Sequence, residues 1–277
     1  MRHRGNGTRH GEQTVVVTGA GSGIGRATAL AFAKSGARVA ACDLDQSRLD
    51  ALASELGDRA LLVRRVDVSD RAQMAGFAEA VHALVPAADV IVNNAGVGLG
   101  GSFLETSLDD WDWLLGVNLR GVVHGCHFFI PAMVERAHGG HVINISSILG
   151  IYPAPNVAAY VASKFAVRGL SQALRAELEP HRIGVTAICP GMIATSIIDD
   201  GRMTGAINAS RSKVSSTFRE RGAPPAKVAE AILDAVRTNP AIRPVGADAW
   251  AIYALGRIAP RTLHRLAGTL QRRFAPS

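Results

Sequence analysis

A chain of 277 residues with 48% apolar and 19% charged side chains is long enough to enclose a large core and predicts one compact globular domain. The net charge of +7 sits at the ends. Residues 1–13 set Arg2, Arg4 and Arg9 against Glu12, and residues 241–277 set six arginines against Asp248, leaving 21 basic and 21 acidic side chains over residues 14–240. With a neutral body the net charge gives no support for a nucleic-acid partner, and none is expected. Cys42, Cys126 and Cys189 are too dispersed for a secreted disulfide framework or a close-pair zinc site.

In chain order, residues 1–13 form a charged, Gly-containing stretch expected to be flexible, with no apolar run of signal-peptide length behind it. Apolar runs follow at Thr14–Thr18, Arg38–Cys42, Leu61–Val66, Asp89–Asn93, His141–Ser146 and Ile183–Cys189, with a last short one at Ile242–Val245. They are nearly continuous instead of alternating, as strands covered on both faces must be. Between them lie helix-like segments with stop signals, such as Ile24–Lys34 before Ser35-Gly36 and Ser47–Leu56 before Gly57. This alternation predicts an α/β fold, a Rossmann-type doubly wound parallel sheet of about seven strands. Its ligand crevice would lie at the carboxyl ends of the strands. No run approaches the roughly 18 residues of a membrane span, so a cytoplasmic location is expected.

The first strand runs into Thr18-Gly19-Ala20-Gly21-Ser22-Gly23-Ile24-Gly25, opening a helix. Glycines there let the backbone turn tightly against a pyrophosphate, whose charge meets the positive end of the helix. A Gly-rich turn that only packs a helix on a strand is the plainer alternative. Ile24 also stands where the last glycine of G-x-G-x-x-G would fall. Asp43 closes the second strand about 20 residues on, where a carboxylate can bind the adenosine ribose and repel a 2′-phosphate, favouring NAD over NADP. Asp45 competes for that role, and Arg48 is the only nearby cation that could serve a phosphate.

Tyr160 and Lys164 fall one turn apart on a helical stretch, in Tyr160-Val161-Ala162-Ser163-Lys164. A phenol titrates near pH 10, and an adjacent ammonium would lower it toward the range of a general base. Ser146-Ser147 end the His141 strand on the side that faces the glycine loop.

With these residues the chain resembles the short-chain dehydrogenase/reductases, from about Thr14 to Gly246. The resemblance adds Asp67-Val68 after the third strand, Asn93-Asn94-Ala95-Gly96 after the fourth, Asn118 in Val-Asn-Leu, Ser147 before Tyr160, and Pro190-Gly191 with Thr195. It implies that Tyr160 exchanges the proton on the substrate oxygen while Ser147 hydrogen-bonds that oxygen. Lys164 would bind the nicotinamide ribose and depress the Tyr160 pKa, and Asn118 would support a water relay to Lys164. Gly19, Gly21, Ser22, Gly23, Ile24, Gly25 and Asp43 would hold the cofactor. Asp67 and Val68 would contact adenine, Asn94, Ala95 and Gly96 would border the adenosine, Thr195 would meet the phosphate or carboxamide, and Pro190 and Gly191 would also bind the cofactor. Plainer roles exist: Asn118 holding a helix kink, Asp67 capping a helix beginning near Ser69, Thr195 capping the segment after Pro190-Gly191. The histidines have no metal-ligand spacing, and no metal is expected.

Residues 192–225 resemble the substrate lid of this family. Apolar Ile148, Leu149, Ile151, Tyr152, Ile193, Ile197 and Ile198 suggest an apolar substrate, though core packing accounts for them equally well. Residues 247–277 are expected to form a basic amphipathic helical extension, with Leu263, Leu266, Leu270 and Phe274 opposite Arg261, Arg265 and Arg272. Packing on its own or a partner subunit is favoured over a membrane surface. The expectation is thus an NAD-dependent oxidoreductase acting on a small-molecule secondary alcohol, a homotetramer or homodimer by resemblance. NADPH-dependent ketone reduction and a non-catalytic dinucleotide sensor are the alternatives.

Overall fold

The computed structural model describes residues 13–259. The stretch up to Glu12 and the face predicted for Leu263, Leu266, Leu270 and Phe274 lie outside the described residues. The strands are β1 (Thr14–Thr18), β2 (Arg38–Asp43), β3 (Ala60–Arg65), β4 (Val90–Asn93), β5 (Leu99–Gly100), β6 (Gly140–Ile145), β7 (Ile183–Pro190), β8 (Arg202–Met203) and β9 (Ile242–Val245). Seven of them form one parallel sheet in the order β3-β2-β1-β4-β6-β7-β9. The expected sheet is present. The strand starting at Ala60, the one starting at Gly140 and the one starting at Val90 each begin one residue from the expected position. Ser146 and Ser147 follow β6 instead of ending it.

The helices are α1 (Gly23–Lys34), α2 (Gln46–Leu56), α3 (Arg71–His82), α4 (Leu108–Leu115), α5 (Gly121–Arg136), α6 (Ala158–Leu178), α7 (Gly205–Ala209), α8 (Arg211–Arg221), α9 (Pro225–Thr238) and α10 (Ala247–Ile258). Strand side chains alternate between faces, and both faces are covered. Val15 and Val17 of β1 join Phe32, Leu52 and Ile232 in one core. Val16 points the other way, into a core with Phe77, Phe129 and Met133. That double coverage is why all five residues of β1 and all eight of β7 are buried. Among the described residues, no helix is long and apolar enough to cross a membrane.

From β1 the chain winds outward in both directions, to β2 on one side and, later, to β4 on the other. The crevice at this switch point is bordered by the loops after β1 and β4. β5 and β8 form a separate two-residue parallel ladder that ties the loop after β4 to the segment after β7.

Candidate active site

The β1–α1 turn is built around close backbone contact. Gly19 has φ +61, and a Cβ on Gly25 would lie 2.0 Å from the Gly19 carbonyl oxygen, so only glycine permits this turn. The β4 loop locks onto it. Asn94 Nδ2 donates to the carbonyls of Thr18 and Gly19, each at 2.9 Å, and the Asn94 and Ala95 amides donate to Thr18 Oγ1 at 3.0 and 3.1 Å. Ser22 starts α1 without a side-chain cap, and the first turn carries no acidic residue. The positive end of the helix therefore keeps amides available for an anion. A cleft of about 570 Å³ borders it, lined by Gly23, Arg26, Thr195, Ser196 and Arg219 among others.

Asp43, at the end of β2, reaches this turn directly. Its Oδ2 accepts the Gly21 amide at 2.8 Å and its Oδ1 the Asp45 amide at 3.0 Å. Asp45, the competing candidate, instead caps α2 by accepting the Arg48 amide at 3.1 Å.

The second group of residues meets the loop after β4. A Cβ on Gly96 would stand 3.3 Å from Asn118 Oδ1 and 3.4 Å from Lys164 Nζ. Asn118 is fully buried in a π-helical turn, Gly116–Arg120, between α4 and α5. Its Oδ1 accepts the Val97 amide at 2.8 Å, and its Nδ2 donates to Val97 O at 3.0 Å and to Ser163 Oγ at 3.3 Å. The amide side chain thus copies a strand partner and fixes the β4 loop against α6. Tyr160 and Lys164 lie on α6, with Lys164 Nζ 5.6 Å from the Tyr160 ring centre. The ammonium donates to Ile145 O at 3.1 Å, just before Ser147. Ser147 Oγ accepts the Leu149 amide at 3.1 Å.

The electrostatics depart from expectation at Tyr160. Burial of the phenol pushes it up to about 12, with hydrogen bonding by Ser147 opposing that rise. The expected depression by Lys164 is not found in this geometry: desolvation of the phenolate outweighs the opposing Ser147 hydrogen bond. Burial instead brings Lys164 down to about 8.

The other expected residues divide. Asp67 Oδ1 accepts the Ser69 amide at 2.9 Å and the Ser69 hydroxyl at 2.7 Å. The helix there starts at Arg71, two residues beyond Ser69, and its cap is Asp70 in place of Asp67. Val68 is buried against Gly121. Thr195 lies beside Gly23, where a Cβ would meet its methyl at 3.0 Å. Pro190 ends β7, and Gly191 is crowded by a carboxylate that sequence reasoning missed, Asp248. Asp248 Oδ2 accepts the Met192 amide at 3.1 Å, so the first turn of α10 holds the Pro190–Thr195 loop. Its only sequence signal is an acid two residues after Gly246. All three cysteines are buried and unpaired, and among the described residues no His, Cys, Asp and Glu grouping could hold a metal.

Residues 13–204 match the family model described as short chain dehydrogenase. Over 265 residues the chain is 42% identical to "Probable oxidoreductase EphD" of Mycobacterium tuberculosis, covering 93% of this chain but only 45% of that protein. The chain thus spans less than half the length of that relative. It is 37% identical over 189 residues to the 3-oxoacyl-acyl-carrier-protein reductase FabG of Thermotoga maritima, covering 66% of this chain and 75% of that one. A short-chain dehydrogenase/reductase structure from Burkholderia phymatum, in complex with NAD, superposes with a TM-score of 0.85 at 28% identity, covering 92% of this chain and 96% of that one. With a family model matched over most of the sheet and a fold and loop architecture to suit it, this chain belongs to the short-chain dehydrogenase/reductase family of oxidoreductases.

Proposed function

We propose that the protein is an NAD-dependent oxidoreductase interconverting a secondary alcohol and a ketone, with an apolar substrate. The observation that carries this reading is the meeting of Asn118 and Lys164 at Gly96, one loop away from the Gly19 turn. The site fits a dinucleotide. Gly19 and Gly25 let the turn close against Ala95 and the Gly19 carbonyl, where a Cβ would clash, the first turn of α1 carries no acidic residue of its own, and the Asp43 carboxylate, bonded to the Gly21 amide, would repel a 2′-phosphate. The NAD complex of the Burkholderia relative supports the same choice. The dinucleotide, when bound, supplies or takes up the hydride.

The chain's own residues do the rest. Tyr160 gives a proton to, or takes one from, the substrate oxygen, and Ser147 holds that oxygen by a hydrogen bond. Lys164 places a positive charge beside the phenol, offsetting charge that develops on it when a proton leaves. Asn118 keeps the Val97 backbone and α6 in register so that these groups stay aligned. With the phenol pushed up to about 12, Tyr160 holds its proton at neutral pH and can donate it to a ketone oxygen, whereas alcohol oxidation requires that proton to leave first. In this reading residues 192–225 form the substrate lid, and the cytoplasmic location and homotetrameric or homodimeric assembly implied by the family belong to the same proposal.

The test is a screen of alcohols and ketones, including sterols, hydroxy lipids and short diols, followed by NADH absorbance. Tyr160→Phe should lose about 10²-fold or more in turnover while still binding coenzyme. Near-normal turnover in that variant would overturn the role of Tyr160, and a preference for NADP would overturn the role of Asp43.

A further inference from the structure

We propose that Asp200, in the segment after β7, is a coenzyme-selectivity residue: it holds the Arg48 guanidinium and so withholds it from the 2′-phosphate of NADP. This deepens the NAD reading above and rests on it. Arg48, in the first turn of α2, borders the same turn as Asp43. A Cβ on Gly21 would meet Arg48 Cβ at 2.8 Å and Asp43 Cγ at 2.9 Å. A guanidinium here is well placed to pair with a phosphate on the adenosine ribose.

It is already engaged. Arg48 Nη1 and Nη2 donate to the two carboxylate oxygens of Asp200 at 3.2 and 3.5 Å, and Nε lies 3.3 Å from Asp45 Oδ2. Asp200 is itself positioned, since its Oδ2 accepts the Ser196 hydroxyl at 2.5 Å and its amide donates to Ser196 O at 2.7 Å. Asp43, Asp45 and Asp200 thus surround one cation, leaving the corner net negative toward a group that carries nearly two negative charges. The structure also qualifies the sequence reading, because Arg48 is not the only cation at this end. Arg65, at the end of β3, donates Nε–H to Leu44 O at 2.9 Å. The Arg48–Asp200 pair is exposed and contributes little to stability. Its effect is therefore expected in selectivity and not in folding.

The experiment is calorimetric titration of NAD and NADP into the full chain, with turnover on each as a second readout. Asp200→Asn should tighten NADP binding about two- to fivefold relative to NAD, the scale of one exposed charge contact. Asp200→Glu, which keeps the pair, should retain the wild-type ratio. Arg48→Ala combined with Asp200→Asn should lose the gain. A ratio changed less than twofold in Asp200→Asn overturns the proposal, as does a gain that survives without Arg48, since Arg65 or general charge removal would then explain it. If the wild type prefers NADP, the Asp43 reading fails separately, and Asp200→Asn still decides the role of Asp200.

Discussion

Replacing Lys164 by Met, a side chain of similar reach without charge, should make the protein more stable at neutral pH and nearly inactive. Burial lowers Lys164 from 10.5 to about 8. Keeping the ammonium charged at pH 7 in that site therefore costs about 3 kcal/mol relative to the unfolded chain. The variant removes that cost but leaves Ile145 O without its 3.1 Å donor, a loss of about 1 kcal/mol. The net gain is about 2 kcal/mol, or a Tm rise of about 5 °C. Below pH 8 both folded and unfolded wild type are charged and the cost is complete. Between pH 8 and 10.5 the unfolded chain holds more protons, so wild-type stability rises with pH. Above 10.5 the cost is gone. Urea denaturation of both proteins at fixed concentration should show the variant's advantage shrinking through that window and turning into a deficit of about 1 kcal/mol. A variant less stable than wild type at pH 7, or a difference flat with pH, would refute the burial argument.

Asn118→Leu should cost about 2–4 kcal/mol, because the buried Val97 amide and carbonyl lose their partners; urea midpoints check this, and turnover should fall with it. Asp248→Ala should raise the KM for coenzyme more than it lowers kcat, since it releases the Met192 amide and the loop that carries Thr195. Burial lowers His141 from 6.5 to about 3, so stability present above pH 6.5 is lost as pH falls through that window. His141→Gln, which can keep a bond to Thr186 Oγ1, should flatten that acid limb in thermal melts between pH 7 and 4; an unchanged limb would show that His141 is not its source.

The sheet was legible because each central strand packs on both faces, and the demand for apolar residues at every position writes itself into runs such as Thr14–Thr18. The glycine turn was legible for a related reason: Gly19 and Gly25 are in van der Waals conflict with any side chain, so the residue type reports the geometry. The two-residue strands β5 and β8 were not legible, because they pair across about 100 residues and carry no periodicity of their own. The direction of the Tyr160 shift was missed because an i, i+4 pair reveals its neighbour but not how deeply the fold encloses the phenol. The same holds for Asn118: the sequence offered a kink or a relay, and only the approach of Val97 revealed an amide acting as a strand partner. Asp200 and Asp248 act on loops far away in the chain, a relation with no local signal.

The claim on which the account stands is that the Gly19–Gly25 turn and the Tyr160 group serve one bound dinucleotide. Calorimetry on three proteins tests it most directly. Wild type and Tyr160→Phe should each bind one NAD per chain with similar affinity, while Gly25→Ala, whose methyl would press on Gly19 O, should lose binding and retain a native circular dichroism spectrum. Wild type that takes up neither NAD nor NADP, or a folded Gly25→Ala that binds NAD as wild type does, would contradict it.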